Sequence, residues 1–363
     1  MQNLKIILNT NLKKKPDATT KLGFGKKFTD HMFTMIYKEG KGWHNAQIQP
    51  YSHIAFDPAT TIFHYAQGIF EGLKAYKNEK DEILLFRPEE NFKRLNASAR
   101  RMCIPEIDEK FALQALSKLL EIEKDWIPTA EGTSLYIRPS IIATNVALGV
   151  HPSIEYLFFI ILSPVGSYYK KGLAPIKLLV EDFYVRAAVG GTGAVKCIGN
   201  YGASLKVAEN AIQHGCDQVL WLDANEHKYL EEVGSMNIFV VIDDTVITPA
   251  LTGSILPGIT RKSCIELLRA SGYRVEERDI SIEEVIDAQE TGSLTEMFGS
   301  GTAAVVSPVG SFQYKYKEYT IGNGCMGQVA QFLYSVLTGM QYGKIEDKFN
   351  WSYNVIKKAK QEI

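Results

Sequence analysis

The sequence predicts an α+β protein built from two domains, and three observations lead there. The chain has 363 residues, more than one ordinary hydrophobic core accommodates. Helix-period and strand-period segments interleave irregularly, neither as a repeated βαβ series nor as an all-β run. Near the middle, "GSYYKKGLAP" (Gly166–Pro175) is rich in Gly, Lys and Tyr and lacks apolar periodicity, which marks a connecting loop. The expected organisation is a smaller N-terminal α+β domain over 1–165, a loop over 166–175, and a larger C-terminal domain over 176–363.

The elements follow in order. "EGLKAYKNEKDEILLFR" (Glu71–Arg87) reads as two strands around a turn at Asn78–Asp81. Pro88 opens a helix with acids in its first turn and Arg94, Arg100 and Arg101 beyond. A second helix, roughly Glu109–Lys124, carries Phe111, Leu113, Leu116, Leu119 and Leu120 at helical spacing. Two strands, "TSLYIRPSII" and "EYLFFIIL", complete the first half. In the second half "IKLLVED" is a strand, and a helix is expected from about Tyr201 to His214, closed by Gly215. "DQVLWLD" is a strand, and "MNIFVVIDDTVITPA" is a hairpin turning at Asp243–Asp244. Helices near Thr260–Ser271 and Ser281–Glu290 follow, the latter with a Ser281…Glu284 capping box, before the strand-like "AAVVSPVG".

Composition narrows the function classes. Apolar residues make up 45% and charged residues 22%, as in a soluble globular protein. A formal charge of −1 supplies no basic field for nucleic acid or anionic membrane. The longest apolar run, Tyr156–Val165, is far short of a bilayer span. The first fifteen residues hold lysines but no arginine, and no apolar core ending in a cleavage site, so a cytoplasmic location is expected. Five widely spaced cysteines without a CxxC suit free thiols in a reducing compartment. Seven histidines without HExxH or paired spacing predict no metal.

Four short stretches hold chemistry-bearing residues. "GGTGAVKCIGNYG" (Gly190–Gly202) sets Lys196 among glycines; alone it reads as a solvated lysine on a loop, and it matches neither phosphate-loop order. "LEEVGSMN" (Leu230–Asn237) puts a carboxylate before Val-Gly-Ser at the mouth of an apolar strand; alone it reads as a solvated glutamate at a loop edge. "LPGITR" (Leu256–Arg261) ends a turn and begins a helix, either an anion cradle or an ordinary capping turn. "FGSGTAAVV" (Phe298–Val306) is a small-residue turn ahead of a strand, able to bring backbone amides and Thr302 close to an oxyanion.

A lysine nucleophile, a carboxylate and two anion cradles are together what pyridoxal phosphate requires. At this point the chain resembles the branched-chain amino acid aminotransferases, fold-type IV pyridoxal phosphate enzymes. The resemblance runs from "FTDHMF" to "MQYG", with "GIFEGLKAY", "LFRPEENFKRL", "TSLYIRP", "GNYG", "LEEVGSMNIF", "LPGITR" and "FGSGTA" in family order. It implies a two-domain fold of the D-amino acid aminotransferase kind with the active site between domains, and a homodimer. It also implies reversible, ping-pong transfer of the amino group of leucine, isoleucine or valine to 2-oxoglutarate.

The resemblance also implies roles. Lys196 binds the cofactor aldehyde and carries the proton. Tyr201 meets the cofactor phenolate, and Glu232, not the adjacent Glu231, pairs with the pyridine nitrogen. Arg94, Ile259, Thr260 and Thr302 meet the phosphate, and Arg186 and Ser235 belong to the same site. Phe28, Tyr65, Phe70, Tyr136, Arg138 and Tyr168 line the substrate pocket, with Val150 contributed by a partner subunit and the α-carboxylate near Tyr65 and the Thr302–Ala303 amides. Without the resemblance each of these aromatics reads as core. Ser235 stands where many relatives have threonine, and Ala304 and Ser307 stand where mammalian members carry a redox-active CxxC pair, so no thiol switch is expected.

Three rivals differ in testable ways. Fold-type IV relatives such as D-amino acid aminotransferase or aminodeoxychorismate lyase are generally shorter and lack "FEGLKAY" with "YIRP". A cofactor-binding protein without catalysis conflicts with the Lys196, Tyr201 and Glu232 set. A nucleotide-binding protein lacks the Walker lysine and serine.

Overall fold

The computed structural model describes residues 3–17, 20–166 and 173–359. Among these, one compact unit comprises the chain up to residue 166 with Lys196–Gly199 and residues 339–359. The other comprises 173–195 and 200–338.

The sheet of the first unit runs Lys5–Ile6, Gly42–Pro50, His31–Lys38, Glu155–Val165, Ser134–Ala143, Leu73–Lys77, Ile83–Phe86, Ser352–Asn354, with Gly68–Phe70 also pairing on Ser134–Ala143. The predicted turn joins Lys77 to its partner Ile83, with Asp81 at φ 59°. Strand alternation sends Leu73, Ala75, Leu135, Ile137, Phe158, Ile160 and Leu162 to one face. That face meets Phe92, Leu95 and Ala99 of the helix Pro88–Arg101, and Leu116, Leu119 and Leu120 of the helix Glu109–Ile122. The first helix has Pro88 in its opening turn, Glu89 and Glu90 beside it, and Arg100 and Arg101 at its end, as the macrodipole favours. The second is capped by Asp108, whose carboxylate accepts from the Phe111 N–H.

The sheet of the second unit runs Leu230–Val233, Gln218–Leu222, Ile176–Glu181, Val305–Tyr314, Leu294–Gly301, Met236–Ile242, Thr245–Thr248, Arg274–Glu277, with Lys317–Thr320 also pairing on Val305–Tyr314. Leu230–Val233 pairs additionally with Met236–Ile242, so six of these strands close into a ring. Leu178, Val180, Leu220, Val233, Ile238, Val240 and Phe312 fill its core with Ile282 and Val285 of the helix Ile282–Thr291. Ser281 caps that helix by accepting from the Glu284 N–H.

Three features depart from the sequence reading. The single helix expected over Tyr201–His214 is two, Gly199–Ala203 and Leu205–Gln213. Between them the Ser204 hydroxyl donates to the Tyr201 carbonyl, a side-chain bond that competes with the helical ladder. The segment Lys196–Gly199, placed by sequence with the C-terminal half, packs in the first unit. There the Phe70 N–H donates to the Lys196 carbonyl at 3.1 Å and the Ile198 N–H to the Gly68 carbonyl at 3.0 Å. A C-terminal helix, Gln328–Gln341, was not anticipated, although Val329, Ala330, Leu333, Leu337 and Met340 are buried at helical spacing.

Candidate active site

Lys196 is pinned by its backbone before its side chain is considered. Besides the Phe70 bond, its own N–H donates to the Ser98 hydroxyl at 3.1 Å, and Cys197 bridges to Ile69. Its ammonium end is enclosed, with Nζ 5.1 Å from the centroid of the Phe70 ring. The same ring carries the Arg138 guanidinium at 4.5 Å. Burial, then the Arg94 charge, push Lys196 below the usual lysine range. That is what a nucleophilic amine requires.

The Arg94 charge is itself held by a carboxylate. Glu71 is fully buried and takes Arg94 Nε at 2.7 Å and Nη2 at 3.0 Å, while Asn91 Nδ2 donates to it at 2.8 Å. Burial pushes Glu71 up, but Arg94, Lys196 and Asn91 together bring it below the usual carboxylate range. The cluster thus offers a buried guanidinium whose Nε–Nη2 edge is fixed and an amine held below the usual lysine range.

The second unit holds a cavity of about 170 Å³ lined by Arg186, Tyr201, Trp221, Glu232, Ser235 and Leu256, among others. Adjacent positions on a strand face opposite ways, and this separates the two glutamates. Glu232 accepts the Leu256 N–H at 2.8 Å and lies 3.3 Å from Arg186 Nη2. Glu231 accepts instead from the Ser254 hydroxyl, its other oxygen is buried without a partner among the described residues, and burial pushes its carboxyl up. Arg186 donates to the Ser254 carbonyl, while its Nε is buried without a partner among the described residues.

Gly193 permits this arrangement, since a Cβ there would collide with the Ser254 carbonyl oxygen. A protein backbone, rather than a ligand, claims the space beside that glycine. The loop is tied by Asn200, whose Nδ2 donates to the carbonyls of Thr192 at 2.8 Å and Val195 at 3.0 Å.

The expected phosphate positions also lie in the second unit. Ile259 and Thr260 open the helix Ile259–Ala270, whose N-cap, Gly258, supplies no side-chain cap, so its first-turn amides suit an anion. Thr302 and Ala303 lie in the turn between the strands Leu294–Gly301 and Val305–Tyr314.

The structure joins Lys196, Arg94, Phe70, Tyr136 and Arg138 in the first unit, and Arg186, Tyr201, Glu232 and Ser235 around the cavity of the second. Tyr65 is occupied elsewhere, its hydroxyl donating to the Leu148 carbonyl. Phe28 stacks on Tyr51 at 5.3 Å. Val150 is 83% exposed on the loop that follows Ala143. Tyr168 lies outside the described residues. Sequence reasoning missed Glu71 and Asn91, although an acid inside the apolar "GIFEGLKAY" was a visible signal.

Each unit by itself holds groups of the kind pyridoxal phosphate requires, a lysine amine of lowered pKa in the first, and a buried acid and uncapped helix amides in the second. The profile of the family described as Amino-transferase class IV matches residues 68–312. The chain belongs to the class IV aminotransferases. It is 53% identical over 354 residues to branched-chain-amino-acid aminotransferase 2 of Bacillus subtilis (strain 168), covering 98% of this chain and 97% of that one. The Escherichia coli branched-chain amino acid aminotransferase shares the fold at TM-score 0.75 and 28% identity, over 90% of this chain and 99% of that one. The branched-chain amino acid aminotransferase of T.th., complexed with N-(5'-phosphopyridoxyl)-L-glutamate, matches at TM-score 0.70 and 25% identity, over 88% and 98%. This class IV aminotransferase thus combines the family's fold with a lysine whose surroundings favour the neutral amine.

Proposed function

We propose that the chain transfers the amino group of L-leucine, L-isoleucine or L-valine to 2-oxoglutarate, reversibly and by a ping-pong route, using pyridoxal 5'-phosphate. The observation that carries the reading is Lys196: its amine is enclosed against Phe70, under the charge of Arg94, and held below its ordinary pKa. The cofactor, when bound, supplies the electron sink that makes the substrate α-proton removable.

The remaining work belongs to the protein. Lys196 Nζ in its neutral form takes the α-proton and returns it. Glu232 keeps a proton available at the ring nitrogen, with its carboxylate oriented by the Leu256 N–H and Arg186. Tyr201 serves the phenolate oxygen. Arg94, Ile259, Thr260 and Thr302 hold the phosphate, Arg94 pre-set by Glu71. Phe70 and Tyr136 give branched side chains an apolar wall, and Arg138 gives the dicarboxylic acceptor a cation.

A homodimer belongs to the same proposal, supported by the exposure of Val150 together with Leu148 at 66% on one loop. So does a cytoplasmic location, supported by five free cysteines. Among the described residues no helix is long and apolar enough to cross a membrane.

The test is the visible absorption of the purified protein before and after L-leucine. Bleaching of the cofactor band by L-leucine in wild type but not in Lys196→Ala supports the proposal. A band indifferent to L-leucine but bleached by D-alanine moves the substrate to a D-amino acid activity. No band after adding pyridoxal phosphate overturns the cofactor assignment.

A further inference from the structure

Glu231 and Glu232 are neighbours on the strand Leu230–Val233 and both are buried, but only Glu232 has a part in the function described above. Their side chains leave the strand on opposite faces, yet both close on one short turn, Ser254–Leu256. The Ser254 hydroxyl donates to Glu231 Oε1, and the Leu256 N–H donates to Glu232 Oε1 at 2.8 Å. Consecutive residues therefore grip the turn from two sides.

Ser254, which is fully buried, is where the grip converges. Its carbonyl receives Arg186 Nη2, the same nitrogen that lies 3.3 Å from Glu232 Oε1. That carbonyl oxygen also sits against Gly193, where a Cβ would collide with it. The Leu256 end of the turn has a holder of its own, because Asn237 Nδ2 donates to the Leu256 carbonyl at 2.9 Å. At the Ser254 end the side-chain holder from a regular element is Glu231; Thr252 Oγ1, 3.3 Å from the same hydroxyl, lies on the turn's own approach.

A buried glutamate is a costly acceptor for one hydroxyl. Its second oxygen has no partner among the described residues, a penalty that an apolar residue at this place would not carry. The charged groups facing Glu231 are Arg186, Glu232 and Asp223. Burial outweighs the Ser254 hydrogen bond and the Arg186 charge and raises the carboxyl, which favours the uncharged acid and leaves Arg186 to Glu232.

We infer that Glu231 is a positioning residue for Glu232: by accepting from Ser254 it fixes the turn whose Leu256 amide and Ser254-bound Arg186 aim the Glu232 carboxylate at the cofactor's ring nitrogen. The inference rests on the amino-transfer reading, in which Glu232 meets that nitrogen.

The test is titration of the cofactor-free full chain with two probes, pyridoxal 5'-phosphate and its 1-deaza analogue, in which carbon replaces the ring nitrogen. Wild type is expected to bind the first about tenfold more tightly or better. Glu231→Leu removes the acceptor for Ser254 and should shrink that preference to about threefold or less, weakening pyridoxal phosphate while leaving the analogue within about twofold. Glu231→Gln, which keeps an uncharged acceptor oxygen, should hold the wild-type preference within about twofold. In a Glu232→Gln background, Glu231→Leu should change the preference no further, since the two act through one contact. An equal weakening of both probes in Glu231→Leu marks a structural role and overturns the inference. Should the Leu variant fail to fold, Ser254→Ala, which removes the same hydrogen bond from the other side, is read by the same criteria. If wild type binds both probes equally, or neither, the reading of Glu232 fails and the inference falls with it. If wild type shows the preference and Glu231→Leu shows it undiminished, only the inference falls.

Discussion

Lys196 and Glu232 are both ionisable groups withdrawn from water, yet they are held by different means. Around Lys196 the holders are side chains on regular elements: Arg94 on a helix, Arg138 on a strand, and Glu71 beside a strand, closing a buried charge pair at 2.7 Å. Around Glu232 they are largely backbone and turn: the Leu256 N–H, and an Arg186 that leans on the Ser254 carbonyl. The first arrangement is vulnerable to loss of a side chain, because a deleted partner strands a charge in low dielectric. The second is vulnerable to a shift in the path of the chain.

The most damaging change is Lys196→Ala, which should lower amino transfer by about 10³-fold or more and remove the leucine-sensitive absorption band. Spectroscopy and steady-state rates check this together. Next is Glu71→Gln. It leaves Arg94 buried without its counter-charge and should cost about 3 kcal/mol in urea unfolding. A cost under about 1 kcal/mol would break the contrast between the two regions.

The same pair has a pH signature. Glu71 is held below its unfolded value, so its contribution is present above the ordinary carboxylate pKa and is lost as pH falls through the lowered folded value. Acid unfolding of wild type should carry this loss, and Glu71→Gln should lack it.

For the second region the sharper probe is Gly193→Ala. Its new methyl meets the Ser254 carbonyl and should cost about 2 kcal/mol, with Glu232 chemistry impaired although no charge has changed. Thermal melts with the rate at saturating substrate distinguish this from a simple packing defect.

The smallest effect is none at all. With Ala304 and Ser307 where a thiol pair would sit, activity should survive mild peroxide, and a loss reversed by dithiothreitol would contradict this.

Much of this was legible in sequence because it is local. The two strands around Asn78–Asp81, the helix opening at Pro88 and the Ser281 cap depend on near neighbours along the chain. The resemblance that the short motifs carry pointed to Lys196, Arg94, Arg138 and Glu232 as site candidates. Other features depend on distant partners. Glu71 was passed over as a site residue because its importance comes from Arg94, 23 positions away. Gly193 reads in sequence only as a loop glycine, whereas the atom it accommodates belongs to Ser254, sixty-one positions on. The break at Ser204 was missed because a hydroxyl bonding back to Tyr201 leaves helical periodicity intact.

By itself, then, the sequence determined the family, the position of a lysine among glycines and most of the helices and strands, since these are set by residue chemistry and short-range spacing. Tertiary structure alone decided which of the two adjacent glutamates meets Leu256, which edge of Arg94 is taken, and that Ser254 lies against Glu231. Strand register and burial set all three, and both arise only when segments far apart in the chain exclude water between them.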